Sequence, residues 1–141
     1  GCYVGYPGYP ITVPGTSFQL PLTHAGVVTW DDQGNTRYYE YGRYRTSHGE
    51  VERRRVSDVE IGSDGKPTQE SWSNLLDDLR DIGSGHEPAL DCDDSADEDR
   101  IHDFAERRRR DPNRDPYSWN PFNLNTCTTF ARDALNAGSS R

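Results

Sequence analysis

Two side chains of this sequence, separated by most of its length, have the types and positions needed for acyl-transfer chemistry: Cys127 and His24. Cys127 stands in NLNTCTTFARDAL (residues 123–135), where an apolar helix begins. Asn125 or Thr126 is a natural N-cap, which puts the thiol in the first turn. Unpaired backbone N–H groups and the positive end of the helix dipole lie there, and both stabilise a thiolate, the nucleophilic form. The same N–H groups can hold an oxyanion formed beside the sulfur. Cys127 also continues the stripe of Phe130, Ala131 and Ala134, so a second reading is a small buried structural cysteine. On position alone the structural reading stands ahead.

A thiol nucleophile needs a base. His48, in TSHGE, and His102, in an acidic helix, read as solvent-facing, and His86, in GSGHEP, as a loop residue. His24 differs because it opens a strand. The small pair Ala25-Gly26 follows it and lets another backbone or a substrate approach closely. A third group would orient the imidazole. If HAGVVTW (24–30) and TRYYEYGRY (36–44) pair symmetrically around the turn DDQGN (31–35), Trp30 faces Thr36 and Gly26 faces Glu40. Glu40 then lies diagonally beside His24, and a slip of one residue presents Tyr39 or Tyr41 instead.

The elements that must position these residues follow from pattern. Residues 1–21 are rich in Gly, Pro and Tyr and read as an extended lead-in, with short strands near 11–13 and 17–20. The two β-favouring runs around DDQGN form a hairpin, and residues 51–61 make a third strand whose arginines suggest one solvated face. Thr68 caps a helix over 69–82 with Trp72, Leu75, Leu76 and Leu79 on one stripe and Gly83 as its stop. A second helix runs from about 95 to 109 on Ile101, Phe104 and Ala105, with acids in its first turn and arginines in its last. The Pro/Asn-rich loop 111–125 carries Tyr117, Trp119 and Phe122, which either line a substrate groove or pack as core. The closing helix spans about 126–137 on Phe130, Ala131, Ala134 and Leu135, with Gly138 after it. The class is α+β with an antiparallel sheet, in one domain over 1–141.

Composition narrows the partners. Sixteen basic against 24 acidic residues give a net charge of −8, which argues against nucleic acid or an anionic membrane. The arginine run 107–110 reads as a solvated helix end. No stretch approaches the roughly 20 apolar residues of a membrane span, and no signal peptide is visible. Three cysteines are too few for a disulfide framework or a zinc site; a bridge between Cys2 and Cys92 is left open. DCDDSADEDRIH (91–102) has acids at calcium-loop positions 1, 3, 7 and 9. It has Ala96 where the turn glycine belongs and His102 where the bidentate glutamate belongs, so no metal is expected. No cofactor motif occurs.

Taken together, THAGVV, the strand TRYYEYGRY and the helix NTCTTFARDAL resemble the circularly permuted NlpC/P60 group of papain-like cysteine hydrolases. In that group the strand bearing His precedes the helix bearing Cys. The resemblance anchors both ends of residues 23–136 and matches the middle by element order. It implies Cys127 as nucleophile and His24 as its imidazole partner, with Glu40 as third member. The same wording looks like enzymes that a bacterial type VI secretion system delivers into competitors, which act on amide bonds in the peptide stems of peptidoglycan. That implies a secreted antibacterial toxin acting in the target's periplasm, an immunity protein, and a secretion component or larger parent chain as partners. The related lecithin:retinol acyltransferase branch places Asn directly before Cys, whereas Thr126 intervenes here. A deamidase, thioesterase or acyltransferase on another substrate is the alternative, and a non-catalytic binding domain on the same scaffold is the third reading.

Overall fold

A computed structural model describes residues 1–7, 11–12, 19–20, 24–42, 49–93, 97–111, 118 and 125–139. Strands β1 (Cys2–Tyr6), β4 (His24–Trp30), β5 (Thr36–Gly42), β6 (Glu50–Arg54) and β7 (Ala89–Cys92) form one antiparallel sheet in the order β6-β5-β4-β1-β7. β2 (Ile11–Thr12) and β3 (Gln19–Leu20) pair separately. Helices α1 (Gln69–Ile82), α2 (Glu98–Arg110) and α3 (Cys127–Ser139) complete the α+β architecture.

Alternation along the strands sorts side chains to two faces, and each face has its own core. Cys2, Val4, Tyr6, Val28 and Tyr38 meet Leu75 and Leu79 of α1. Ala25, Val27, Tyr39, Tyr41 and Val51 meet Ile101 and Ala105 of α2 and Phe130, Ala131, Ala134 and Leu135 of α3. The sheet is therefore sandwiched between α1 on one side and α2 with α3 on the other.

The hairpin takes the symmetrical register, with Trp30 opposite Thr36 and Gly26 opposite Glu40. The turn holds because the Asp31 carboxylate accepts the backbone N–H groups of Gln33 and Asn35, each at 2.9 Å. Helix α1 matches its expected bounds, with the Thr68 hydroxyl accepting the Ser71 N–H.

The structure differs from the sequence reading at five places. Cys2–Tyr6 is not a lead-in; it is an inner strand of the sheet, because Val4 and Tyr6 have a buried face to fill between β4 and β7. A partner strand, Ala89–Cys92, has no β-branched residue and was not expected. The third strand stops at Arg54, and residues 55–60 leave the ladder, while Ile61 forms an isolated bridge to Pro67. Helix α3 continues through Gly138, where a Cβ would come within 2.7 Å of Ile101 Cγ1; the glycine lets α2 and α3 approach closely rather than ending the helix. Helix α2 starts at Glu98, capped by Asp97, rather than at about 95.

Cys2 and Cys92 are register partners on β1 and β7, and they form a disulfide. Cys127 is the free cysteine.

Candidate active site

Helix α3 begins at Cys127 because Thr126 caps it. The Thr126 N–H donates to Thr129 Oγ1 at 2.7 Å, the Thr126 hydroxyl accepts the Thr129 N–H at 3.5 Å, and the Thr126 carbonyl accepts from Phe130 N. This is a reciprocal cap of the capping-box kind, with a threonine in the place of the usual acid. Asn125, one residue earlier, uses its amide on Tyr41 Oη at 3.2 Å. Cys127 is thus the first helical residue, 2% exposed, with Thr128 Oγ1 3.9 Å from its sulfur.

His24 is the first residue of β4, and it meets Cys127 at the end of the sheet, where side chains from both faces come within reach of one another. Its Nε2 hydrogen-bonds Glu40 Oε2. The imidazole also stacks on Tyr6, its register partner on β1, with ring centroids 5.9 Å apart and planes inclined by 21°. Tyr6 is fixed in turn by its hydroxyl, which donates to the Leu79 carbonyl at the end of α1 at 2.8 Å.

Glu40 is buried, 1% exposed, and its second oxygen accepts from Arg54 Nε. The register explains both contacts. Gly26 is opposite Glu40 on β4 and Glu52 is opposite it on β6, so His24 and Arg54 are its diagonal neighbours, one toward each end of the strand. Tyr38 Oη lies 3.4 Å from Glu40 Oε2. The small residue at 26 serves this arrangement: a Cβ there would fall 2.3 Å from Tyr38 Oη. What approaches Gly26 is the Tyr38 ring.

The electrostatics follow from burial against pairing. Burial pushes the His24 imidazole down, but hydrogen bonds to Cys127 and Glu40 and their negative charges outweigh it, and its pKa rises to about 9. Burial pushes the Cys127 thiol up; the His24 hydrogen bond and charge, the Ala25 backbone N–H and the Thr128 hydroxyl bring it below its ordinary value. Burial likewise works against the Glu40 carboxylate, and His24 and Arg54 together hold it below the usual carboxylate range. The set favours thiolate, imidazolium and carboxylate together.

The structure therefore brings Cys127, His24 and Glu40 into one hydrogen-bonded cluster. Tyr39 and Tyr41, the alternatives to Glu40, point to the other face: Tyr39 Oη donates to Glu106 at 2.5 Å, and Tyr41 packs near Phe130. His86 engages the Gly83 carbonyl, and His102 lies by Asp103 and the Tyr39 ring. His48 and the candidate groove residues Tyr117, Trp119 and Phe122 fall outside the described residues. Tyr6, Tyr38 and Arg54 were missed: Tyr6 and Arg54 reach the site through strand pairing that no local pattern announces, and Tyr38 lies two residues from Glu40 on its own strand. A charge-balance argument for the buried Glu40 would have called for a second cation.

Among the described residues no group of three or more His, Cys, Asp or Glu side chains is arranged to hold a metal. None of the described helices is long and apolar enough to cross a membrane.

Comparison with known proteins gives this arrangement a biological setting. The crystal structure of the type VI secretion system effector TseH matches with a TM-score of 0.73 at 27% sequence identity, over 98% of this chain and 75% of that one. Among curated proteins none matches. The family model described as type VI secretion system effector TseH-like matches residues 11–141, and the chain belongs to that family of effectors delivered into target cells.

Proposed function

We propose that residues 1–141 form one catalytic domain of the permuted NlpC/P60 type, a cysteine hydrolase that cleaves amide bonds in peptidoglycan stem peptides in the target's periplasm. The observation that carries this reading is the Cys127–His24–Glu40 cluster, with the thiol at a helix N-terminus and the imidazole anchored on a buried carboxylate. Its occurrence in a type VI effector supports a substrate in the target cell.

The chemistry runs as acyl transfer. The Cys127 thiolate attacks the amide carbonyl carbon, and the carbonyl electron pair moves to oxygen, where the Cys127 backbone N–H helps stabilise the oxyanion. His24 holds Glu40 through Nε2, which leaves Nδ1 to face the sulfur and to protonate the departing amine as the C–N bond breaks. The product is a thioester on Cys127. Water then attacks it, His24 takes the water's proton, and the C–S bond breaks to release the acid and regenerate the ion pair. Glu40 fixes the ring and stabilises the imidazolium throughout. An immunity protein and a component of the secretion machinery are the partners this role calls for.

The test is expression of the chain in the periplasm and in the cytoplasm of a bacterium, with Cys127→Ala and His24→Ala controls and analysis of the muropeptides. Periplasmic lysis that requires both residues, with cleaved stem peptides, is expected. Unchanged muropeptides would sink the cell-wall reading and leave a deamidase, thioesterase or acyltransferase using the same pair.

A further inference from the structure

The buried charges of the site do not balance without a fourth residue. A Cys127 thiolate and a Glu40 carboxylate carry two negative charges, and the His24 imidazolium between them carries one positive charge. Left so, the two anions compete for one cation in a buried site, which is costly unless another charge compensates. The groups facing Glu40 are His24 from β4, Tyr38 from its own strand, and Arg54 with Glu52, its register partner, from β6. Of these, Arg54 alone supplies the missing positive charge. Its Nε–H donates to the oxygen of Glu40 that His24 does not use, so each oxygen of the carboxylate has its own cation.

We propose that Arg54 is a positioning residue of this site, holding Glu40 charged and aimed at His24 and thereby sustaining the Cys127 thiolate. This rests on reading Cys127 as the nucleophile. The Arg54 side chain is 47% exposed although the carboxylate it serves is buried, so the balance of the site depends on a residue at its solvent boundary. Loss of that positive charge leaves a net negative buried cluster, which takes up a proton more readily, and the thiol titrates at higher pH.

The test is a thiolate titration of Cys127 by ultraviolet difference absorbance, each protein being measured against its own Cys127→Ala counterpart, so no substrate is needed. In Arg54→Gln the midpoint is expected to rise by roughly one pH unit, a tenfold loss of thiolate at pH values below it. Arg54→Lys, which keeps the charge but not the directed Nε–H, should show less than half of that rise. In a Glu40→Gln background Arg54→Gln should add little, since the effect passes through Glu40. An unchanged midpoint in folded Arg54→Gln, or an equal shift with and without Glu40, overturns the proposal while leaving the nucleophile reading intact. A wild-type thiol that titrates like a free cysteine, near ~8.5, overturns the nucleophile reading and this proposal with it. Should Arg54→Gln fail to fold, the lysine variant with and without Glu40→Gln decides by the same criterion.

Discussion

The two faces of the sheet contribute to the cluster in different ways. On the α2–α3 face, Cys127 is placed by local means: a threonine cap, a helix start, and an apolar stripe running on through Phe130 and Ala134. On the α1 face, Tyr6, His24, Glu40 and Arg54 come from four strands and are brought together by strand register. The first device fixes where the thiol sits, and the second sets the charges around it. A helix terminus by itself favours an anion weakly, whereas a buried ion pair in a fixed register shifts protonation strongly. The polar contacts of the α3 side away from the cysteine, such as Glu106 with Tyr39, Arg53 and Arg109, join β5 and β6 to α2 and take no part in the cluster.

This contrast can be broken at either face. Cys127→Ala should abolish hydrolysis, by about four orders of magnitude or more, with little change in melting temperature. A variant retaining substantial activity would remove the reason for calling the α3 side the nucleophile's side. Glu40→Gln should lower kcat by roughly 100-fold while KM stays nearly constant, since the carboxylate acts through His24. Loss confined to KM would instead put Glu40 on the substrate.

Packing separates the faces by stability. Phe130→Ala, in the helix that carries the cysteine, should cost about 3–5 kcal/mol, and Leu79→Ala, under Tyr6 on the α1 face, about 2–5 kcal/mol, as read by denaturant unfolding. Activity at fixed folded fraction should survive both better than it survives Glu40→Gln.

The pH response sharpens the comparison further. His24 gains its proton affinity in the folded state, from an ordinary value near 6.5 up to about 9. The stability it contributes is therefore fully present below about pH 6.5 and lost as pH rises through about 9. Glu40 has the opposite sign: its contribution is present above the ordinary carboxylate pKa and lost as pH falls through its depressed folded value. Unfolding of wild type and His24→Ala across pH 5–10 should converge toward the alkaline end; a gap that widens there contradicts the assignment. The smallest effect is expected for Thr126→Ala, about 1 kcal/mol from the lost cap, measured by thermal unfolding.

Much of this was readable in order along the chain. The hairpin about DDQGN, its register, the α1 helix with its Thr68 cap, and the helix start at Cys127 each depend on residues a few positions apart, and each took the expected form. The pairing of Glu40 with His24 was readable because a short turn couples them. The strand Cys2–Tyr6 was not, since glycines and tyrosines beside a Pro-rich stretch carry a loop signature, and its burial is decided by β4 and β7 lying on either side.

What the sequence by itself determined is the inventory: a thiol at a helix start, a histidine at a strand start, a carboxylate two strand positions from facing it, and the order of histidine before cysteine. What only the tertiary structure decided is the environment of those groups. Cys2 joined Cys92, Tyr6 came to lie on the His24 ring, and Arg54 took the second oxygen of Glu40. These contacts join side chains of separate strands, and the free energy of a buried charge depends on which groups surround it in space rather than on its neighbours in sequence.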